Sequence, residues 1–206
     1  MGTFRLFQSS PTDTHTEMMQ ATYKALQKHG YADLTMQRIG DEFPKSKSLI
    51  YQHYDGKDEL LVAFLEFLLT QFKSDIPGDE YADAHEHLHD ILDHTLPRSP
   101  DSSYIEFTAA MTELRAQAPH NEAYREQFTK TDQFFQKHFT EIIRDGIAQG
   151  VFRECEPTQI ATFIATSIHG AQNRNVTTNS AGSITATRRE LTEYLQACLF
   201  TEKNDD

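Results

Sequence analysis

The feature that most constrains the fold is Pro44, which separates two short helical patterns. Proline disfavours helical backbone at the residue before it, so a helix that begins after Thr35 is expected to end near Phe43. Thr35 and Ser46 can each cap a helix, because a side-chain oxygen there accepts a backbone N–H group that lacks a partner. The sequence therefore predicts a helix, a tight turn and a second helix within residues 35–54.

The second of these helices, residues 47–54, carries two kinds of surface. Ile50 and Tyr54 are four residues apart, so they share one face and are expected to pack inward. The other faces are polar apart from one leucine. Glutamine can form two hydrogen bonds with adenine, an apolar side chain can contact the thymine methyl group, and lysine, serine or tyrosine can bind phosphate. The pattern indicates a DNA-binding helix, although a short polar surface hairpin would look similar.

The segments KHGYADLTMQRIGDEF and SKSLIYQHYDGKDELL extend this pattern on both sides of the turn. They match the motifs GY..LT...IA and VSKGTLYHYF.SK..LL, so residues 15–69 resemble the TetR family of bacterial and archaeal repressors. The chain departs from the family at the turn, where Pro44 and Lys45 replace the usual glycine and valine. Proline cannot adopt the positive φ that glycine allows, so the turn must be built differently.

The resemblance implies sequence-specific binding to double-stranded DNA. The side chains expected to bind phosphate are Lys45, Ser46, Lys47, Tyr51, His53 and Lys57, together with Thr35 and Gln37 of the preceding helix. The side chains expected to read base edges are Ser48, Leu49 and Gln52.

The formal charge of −12 is distributed unevenly along the chain. Residues 1–57 hold seven Lys and Arg against six Asp and Glu, whereas the remaining residues hold twelve against twenty-five. DNA phosphates repel the acidic remainder of the chain, so this distribution favours docking through the N-terminal part. It also predicts that DNA binding depends on salt concentration.

Composition favours a cytoplasmic protein. No apolar run approaches the roughly 18 residues that a membrane-spanning helix needs, and no secretory signal pattern is visible. Cys155 and Cys198 are expected to be reduced, because two distant cysteines form no disulfide framework. Residues 1–14 are expected to form a flexible arm, whose Arg5 could reach the minor groove.

The whole chain reads as successive amphipathic helices, about nine in number, which predicts an all-α fold. Residues 1–56 are expected to form a three-helix DNA-binding domain, and residues 57–206 a helical domain for ligand binding and dimerisation. The first helix is predicted over residues 15–29, ending at Gly30. A strongly apolar helix from Lys57 to about Lys73 is expected to link the two domains, and in the resembled family its movement releases DNA.

Several predicted helices carry apolar side chains beside a few polar ones, which is the usual composition of a ligand pocket. The resemblance implies that a small apolar or aromatic effector binds there, although an ordinary core has the same pattern. The candidate lining residues are Phe64, Phe67, Leu68, Tyr104, Phe107, Thr108, Met111, Phe128, Phe135 and Phe139.

The last two helices, predicted over residues 157–173 and 184–200, contain many small side chains that permit close helix approach. The resembled family forms a homodimer through these helices. A two-fold dimer would place two recognition helices one DNA turn apart, ~34 Å, or a multiple of it, and would bind a palindromic operator.

Two other functions compete with this interpretation. The histidine-rich segment from His85 to His94 could bind a metal, because imidazole and carboxylate are metal ligands. On one helix His85 and His89 would share a face while His87 points away, so solvated histidines are the alternative. An enzyme is disfavoured, since no nucleophile elbow, phosphate-binding glycine loop or zinc-binding H-E-x-x-H motif is present. No cofactor is expected.

Overall fold

A computed structural model describes residues 13–75, 83–180 and 182–201. These residues form nine α-helices and no sheet, which confirms the all-α prediction; one isolated antiparallel bridge joins Phe152 to Phe200. In chain order the helices are α1 (Thr14–Asp33), α2 (Met36–Glu42), α3 (Lys47–His53), α4 (Lys57–Asp75), α5 (Ala84–Thr95), α6 (Ser102–Arg115), α7 (Glu122–Ala148), α8 (Pro157–Thr177) and α9 (Ser183–Cys198). None of them is long and apolar enough to cross a membrane.

The helix-turn-helix forms where the sequence predicts it, with one difference in its caps. The Thr35 hydroxyl accepts the Arg38 N–H at 3.2 Å and so caps α2 as expected. Ser46 occupies the N-cap position of α3, but its side chain makes no capping bond. Its Oγ lies 2.7 Å from Ser48 Oγ instead, because a neighbouring hydroxyl offers a competing partner.

The first helix begins and ends outside its predicted limits. Asp13 caps it by accepting the Thr16 N–H at 2.8 Å, and α1 begins at Thr14, so these two residues are not part of a flexible arm as predicted. Gly30 has a φ of +66°, as expected of a residue that ends a helix, but the chain then makes one more turn to Asp33. Arg5 lies outside the described residues.

The described contacts divide the chain into two compact units, one comprising residues 1–75 and 101–129 and the other residues 76–100 and 130–206. The first unit therefore contains α4 and α6 as well as the three N-terminal helices. The predicted domain boundary between residues 56 and 57 stays a prediction.

The core of the first unit is built around α1 and α4. Apolar residues occur on nearly every side of α4, because α1 and other core residues of the unit surround it. Phe64 and Leu61 are fully buried there, and Tyr23 of α1 stacks on Phe64 with ring centroids 6.0 Å apart. This core fixes the helices that carry the turn.

The second unit contains a close approach between Gly146 of α7 and the buried ring of Phe152. A Cβ atom on Gly146 would lie 2.1 Å from Phe152 Cδ2. Phe152 in turn stacks on Phe200, with centroids 5.3 Å apart, and this pair brings Phe200 beside α7. A side chain larger than hydrogen at position 146 would therefore displace an aromatic pair.

We expect Gly146→Ala to destabilise the protein by about 1–3 kcal/mol, the usual cost of overpacking a core. Urea unfolding followed by circular dichroism would measure it. Gly56→Ala is the matched control, because no atom lies within 4 Å of a Cβ there; its effect should stay within about 0.5 kcal/mol. Equal unfolding midpoints for the two variants would contradict the close approach.

Candidate nucleic-acid interface and effector site

Two buried isoleucines hold the helix-turn-helix against the core and leave the outer surface of α3 free. Ile39 of α2 and Ile50 of α3 are both fully buried. Tyr51, the adjacent residue, is 53% exposed, and Gln52 and His53 are exposed beside it. A short helix that is anchored by one apolar side chain and exposes polar ones is suited to enter a DNA groove.

Leu49 and Lys57, two of the predicted DNA contacts, make contacts within the protein. Leu49 is half-buried and packs against the core, so less of it is available to a base than the sequence suggested. The Lys57 ammonium donates to the Tyr31 carbonyl at 3.0 Å and lies 4.3 Å from the centre of the Tyr31 ring. Lys57 therefore stabilises the start of α4, whatever else it binds.

Lys45 and Lys47, the lysines expected to bind phosphate around the turn, both have carboxylate partners. Lys45 Nζ pairs with Glu17 and also donates to Thr14 Oγ1 at 2.8 Å. Lys47 Nζ pairs with Asp41 of α2. The hydrogen bond from Lys47 holds the pKa of the Asp41 carboxyl below its usual range. The sequence contained no signal for either pair beyond the near balance of charge in this region.

A cluster of hydrogen bonds surrounds Tyr31 at the end of α1. The hydroxyls of Tyr31 and Tyr124 each donate to Asp58 Oδ1 at 3.0 Å, and the Tyr31 N–H donates to Glu113 Oε2 at 2.6 Å. Burial, and then the Asp58 carboxylate, raise the pKa of both tyrosines. This cluster, which sequence reasoning missed, joins α1 to α4, α6 and α7.

Eight of the ten candidate effector residues belong to the first unit, where they form part of its core. Phe64, Tyr104 and Thr108 are buried, and the Thr108 hydroxyl donates to the Tyr104 carbonyl at 2.8 Å. Phe107 contacts Tyr23 edge-on, with centroids 6.2 Å apart. The remaining residues of this group are Phe67, Leu68, Met111 and Phe128. Tyr23 belongs with them, although the sequence did not single it out.

The other two candidates, Phe135 and Phe139, lie on α7 in the second unit. Phe139 is fully buried and Phe135 is half-buried, in contact with Phe134 at a centroid distance of 5.6 Å. Both stay predictions as effector contacts.

The histidines of α5 lie on different faces of the helix, as the helical spacing predicts. The rings of His85 and His89 lie 4.6 Å apart beside Phe200, whereas His87 faces His138 of α7 at 4.9 Å. In the part of the chain that the structure describes, no three His, Cys, Asp or Glu side chains are grouped so as to hold a metal ion.

A surface cleft of about 290 Å³ in the second unit was not foreseen from the sequence. Arg188 lines it and is fully buried, donating to Asp93 at 2.6 Å and to Thr192 at 2.8 Å. The other lining residues are Arg98, Thr185, Arg189, Thr192 and Glu193. Arg98 and Arg188 both contact the Asp93 carboxylate and Arg189 pairs with Glu190, so each lining arginine has an acidic partner.

A helix-turn-helix with an exposed α3, followed by further helices, is the architecture of a class of DNA-binding regulators. The model for the tetR family of bacterial regulatory proteins matches residues 19–64, and the model for the C-terminal region of BetI-type transcriptional repressors matches residues 84–199. The chain belongs to the TetR family of transcriptional regulators. Members of this family bind DNA and small-molecule effectors, are generally dimeric and are generally not enzymes.

Solved structures agree with this assignment. A TetR transcription regulator from Haloarcula marismortui is 37% identical, with a TM-score of 0.83 over 92% of this chain and 100% of that one. A putative regulator from Saccharomonospora viridis in complex with choline is 18% identical, with a TM-score of 0.80 over 93% and 100% of the two chains. FadR from Bacillus subtilis in complex with stearoyl-CoA is 18% identical, with a TM-score of 0.69 over 88% and 97%. Comparison with curated proteins gives no match.

Gln52→Ala is expected to remove roughly 1–3 kcal/mol of the preference for the correct base at one operator position and to leave the preferences at other positions unchanged. The reason is that an exposed glutamine on α3 can read one base edge. Fluorescence anisotropy against a set of single-base variants would measure it. Gln37→Ala is the matched comparison and should weaken all sequences alike, as loss of a phosphate contact does. A uniform loss with Gln52→Ala would assign that residue to the DNA backbone instead.

Acid should destabilise the second unit through His87 and His138. Burial lowers the pKa of both imidazoles below the ordinary histidine value of 6.5, despite opposing carboxylates at Asp145 and Glu141. The folded state therefore binds these protons less readily than the unfolded chain, so stability is complete above that value and is lost as the pH falls below it.

The melting temperature of the wild type should accordingly drop between pH 7.5 and pH 5, and His138→Gln should reduce the size of that drop. His120→Gln, on the exposed surface, serves as the control. A drop of the same size in His138→Gln and the wild type would exclude His138 as its source.

Proposed function

We propose that this regulator is a repressor that acts in the cytoplasm, binds a palindromic operator as a homodimer, and is released by a small apolar or aromatic molecule. The observation that carries the DNA-binding part is the surface of α3, where Ile50 is fully buried while Tyr51, Gln52 and His53 are exposed in succession. Ser48 extends the same exposed surface toward the start of the helix.

The effector part of the proposal is supported by the aromatic cluster of the first unit. Tyr23 contacts both Phe64 and Phe107, and half-buried side chains such as Met111 belong to the same core. Aromatic faces attract both apolar molecules and quaternary ammonium groups. Proteins of this fold bind choline and stearoyl-CoA, so these two compounds are the first to test as effectors.

The cluster around Tyr31 supports a route from effector to DNA. Glu113 of α6 accepts a hydrogen bond from the Tyr31 N–H near the end of α1. Tyr124 of α7 donates to Asp58, the same carboxylate that binds the Tyr31 hydroxyl. An effector that moved α6 or α7 would break these bonds or shift α1. An effector that binds the shifted arrangement of helices more tightly than the DNA-bound one would favour the shifted arrangement and so release the operator.

The test of this function is fluorescence anisotropy of the purified protein with DNA from upstream of its own gene and with random duplex, at two salt concentrations. Selective binding that weakens with salt is expected, because the contacts include phosphates. Equal affinity for the two duplexes would contradict operator recognition.

Once binding is established, choline, stearoyl-CoA and apolar aromatic compounds should be added to the complex. One class is expected to lower operator affinity at least tenfold, and glycerol serves as the polar control. Release by none of them would contradict the proposed effector class while leaving the DNA-binding proposal intact.

The proposed dimer interface is the outer surface of α8 and α9. Phe163 of α8 and Tyr194 of α9 are 45% and 39% exposed, with ring centroids 4.9 Å apart, and a second copy could cover this pair. We expect the double variant Phe163→Asp and Tyr194→Asp to sediment as a monomer and to bind the operator much more weakly, because a monomer has one DNA-binding domain and contacts only one half-site.

Analytical ultracentrifugation at micromolar concentration would measure the change. Tyr51→Asp is the matched control, since it also charges an exposed aromatic position but lies on α3. A dimer that survives the double variant would place the interface elsewhere.

A further inference from the structure

The basic side chains of the helix-turn-helix region are already engaged within the protein. Among the described residues 13–57 there are six lysines and arginines, and five of them contact a carboxylate or a carbonyl group. The five contacts are Lys28 with Glu42, Arg38 with the Asp33 carbonyl, Lys45 with Glu17, Lys47 with Asp41, and Lys57 with the Tyr31 carbonyl. Three of these five side chains, Lys28, Lys45 and Lys47, are paired with carboxylates, so the region offers DNA fewer uncompensated positive charges than its number of lysines and arginines suggests.

Lys45 and Lys47 matter most, because they flank the start of α3. Neither can bind phosphate at full strength while its ammonium is shared with Glu17 or Asp41. Each carboxylate would also remain within a few ångströms of any phosphate that its lysine binds. Two like charges at that distance near a protein surface repel by an amount that changes affinity severalfold.

We propose that Asp41 and Glu17 are counter-charges that DNA must displace, so that docking takes up cations at these carboxylates while it releases cations from the phosphates. The inference rests on the proposed DNA-binding function. It adds to that function two acidic residues that lower affinity and flatten its dependence on salt.

The exposure of the two pairs decides how easily each one opens. The side chains of Lys47 and Asp41 are 38% and 56% exposed, and exposed ion pairs of this kind are weak, so phosphate can replace Asp41 readily. Glu17 is only 20% exposed and shares Lys45 with Thr14, so this pair should open less completely. Asp41 is therefore expected to have the larger effect on DNA binding.

A cation, not a proton, must neutralise Asp41 after displacement. The ordinary pKa of an aspartate, 3.8, lies far below neutral pH, so the released carboxylate stays ionised. It then attracts a cation from solution beside the phosphates. Each lysine–phosphate contact contributes about 0.9 to the slope of log affinity against log salt, and cation uptake at Asp41 subtracts from that value.

The test is a salt titration of operator binding by the wild type, Asp41→Asn, Glu17→Gln and the double variant, followed by anisotropy. Asp41→Asn keeps the shape of the side chain and removes its charge. We expect it to tighten binding at low salt by about tenfold and to steepen the salt slope by up to about one. Glu17→Gln should act in the same direction with a smaller effect.

Glu141→Gln is the matched control. It removes one carboxylate from an exposed pair with Lys137 on α7, so it changes the net charge by the same amount outside the helix-turn-helix. Circular dichroism melts of all variants would show that each one is folded before its affinity is compared. The wild-type affinity and slope are expected for this control.

The outcomes separate this inference from the function on which it rests. Wild-type slope and affinity in Asp41→Asn would overturn the counter-charge role while leaving operator binding intact. Equal tightening in Glu141→Gln and Asp41→Asn would reduce the effect to total charge and would also overturn it. Absence of DNA binding by every folded variant would overturn the proposed function itself.

Discussion

The packing of the first unit depends on the hydrogen bonds that the Asp58 carboxylate accepts. This carboxylate accepts hydrogen bonds from Tyr31 and Tyr124, each at 3.0 Å, and so ties the end of α1 and the start of α7 to the first turn of α4. Tyr124 is fully buried, so without this acceptor its hydroxyl would lose a partner that water could not replace. Leaving such a group unsatisfied costs about 1–3 kcal/mol, a large share of the stability of a small domain.

The same cluster gives the DNA-binding helices a fixed support. Gly30 turns the chain with a positive φ, and this turn lets the Tyr31 N–H reach Glu113 of α6. A Cβ atom at position 30 would lie 3.2 Å from that carboxylate, so both the backbone angle and the space favour glycine. The position of α1, and through it of α2 and α3, is thus set in part by its hydrogen bonds to α4 and α6.

Electrostatics around the turn follow a different principle from the core. The core excludes water and fixes positions, whereas the ion pairs of Lys45 and Lys47 remain partly exposed and can be exchanged for phosphate. Base selectivity in such a surface would come from neutral groups such as Gln52 and Ser48, since phosphate contacts carry no sequence information. A DNA-binding domain with balanced charge therefore limits nonspecific DNA binding, because nonspecific binding is almost entirely electrostatic.

The sequence predicted the features that depend on neighbouring residues. Pro44 ends α2, Thr35 caps it, and the spacing of the apolar side chains gave the order and type of every described helix. Boundaries were less accurate: α8 continues to Thr177, about one turn beyond its predicted end, because local sequence signals define the end of a helix poorly. The family followed from two motifs around one turn.

Only the tertiary structure decided which side chains meet across long separations in sequence. Lys45 meets Glu17, Tyr124 meets Asp58, His87 meets His138, and Phe64 stacks on Tyr23. It also showed that Leu49 turns partly toward the core and that the Ser46 hydroxyl bonds to Ser48. Helical periodicity determines which face of a helix is apolar, but the partner of a polar side chain depends on how separate helices pack, and that is a property of the whole fold.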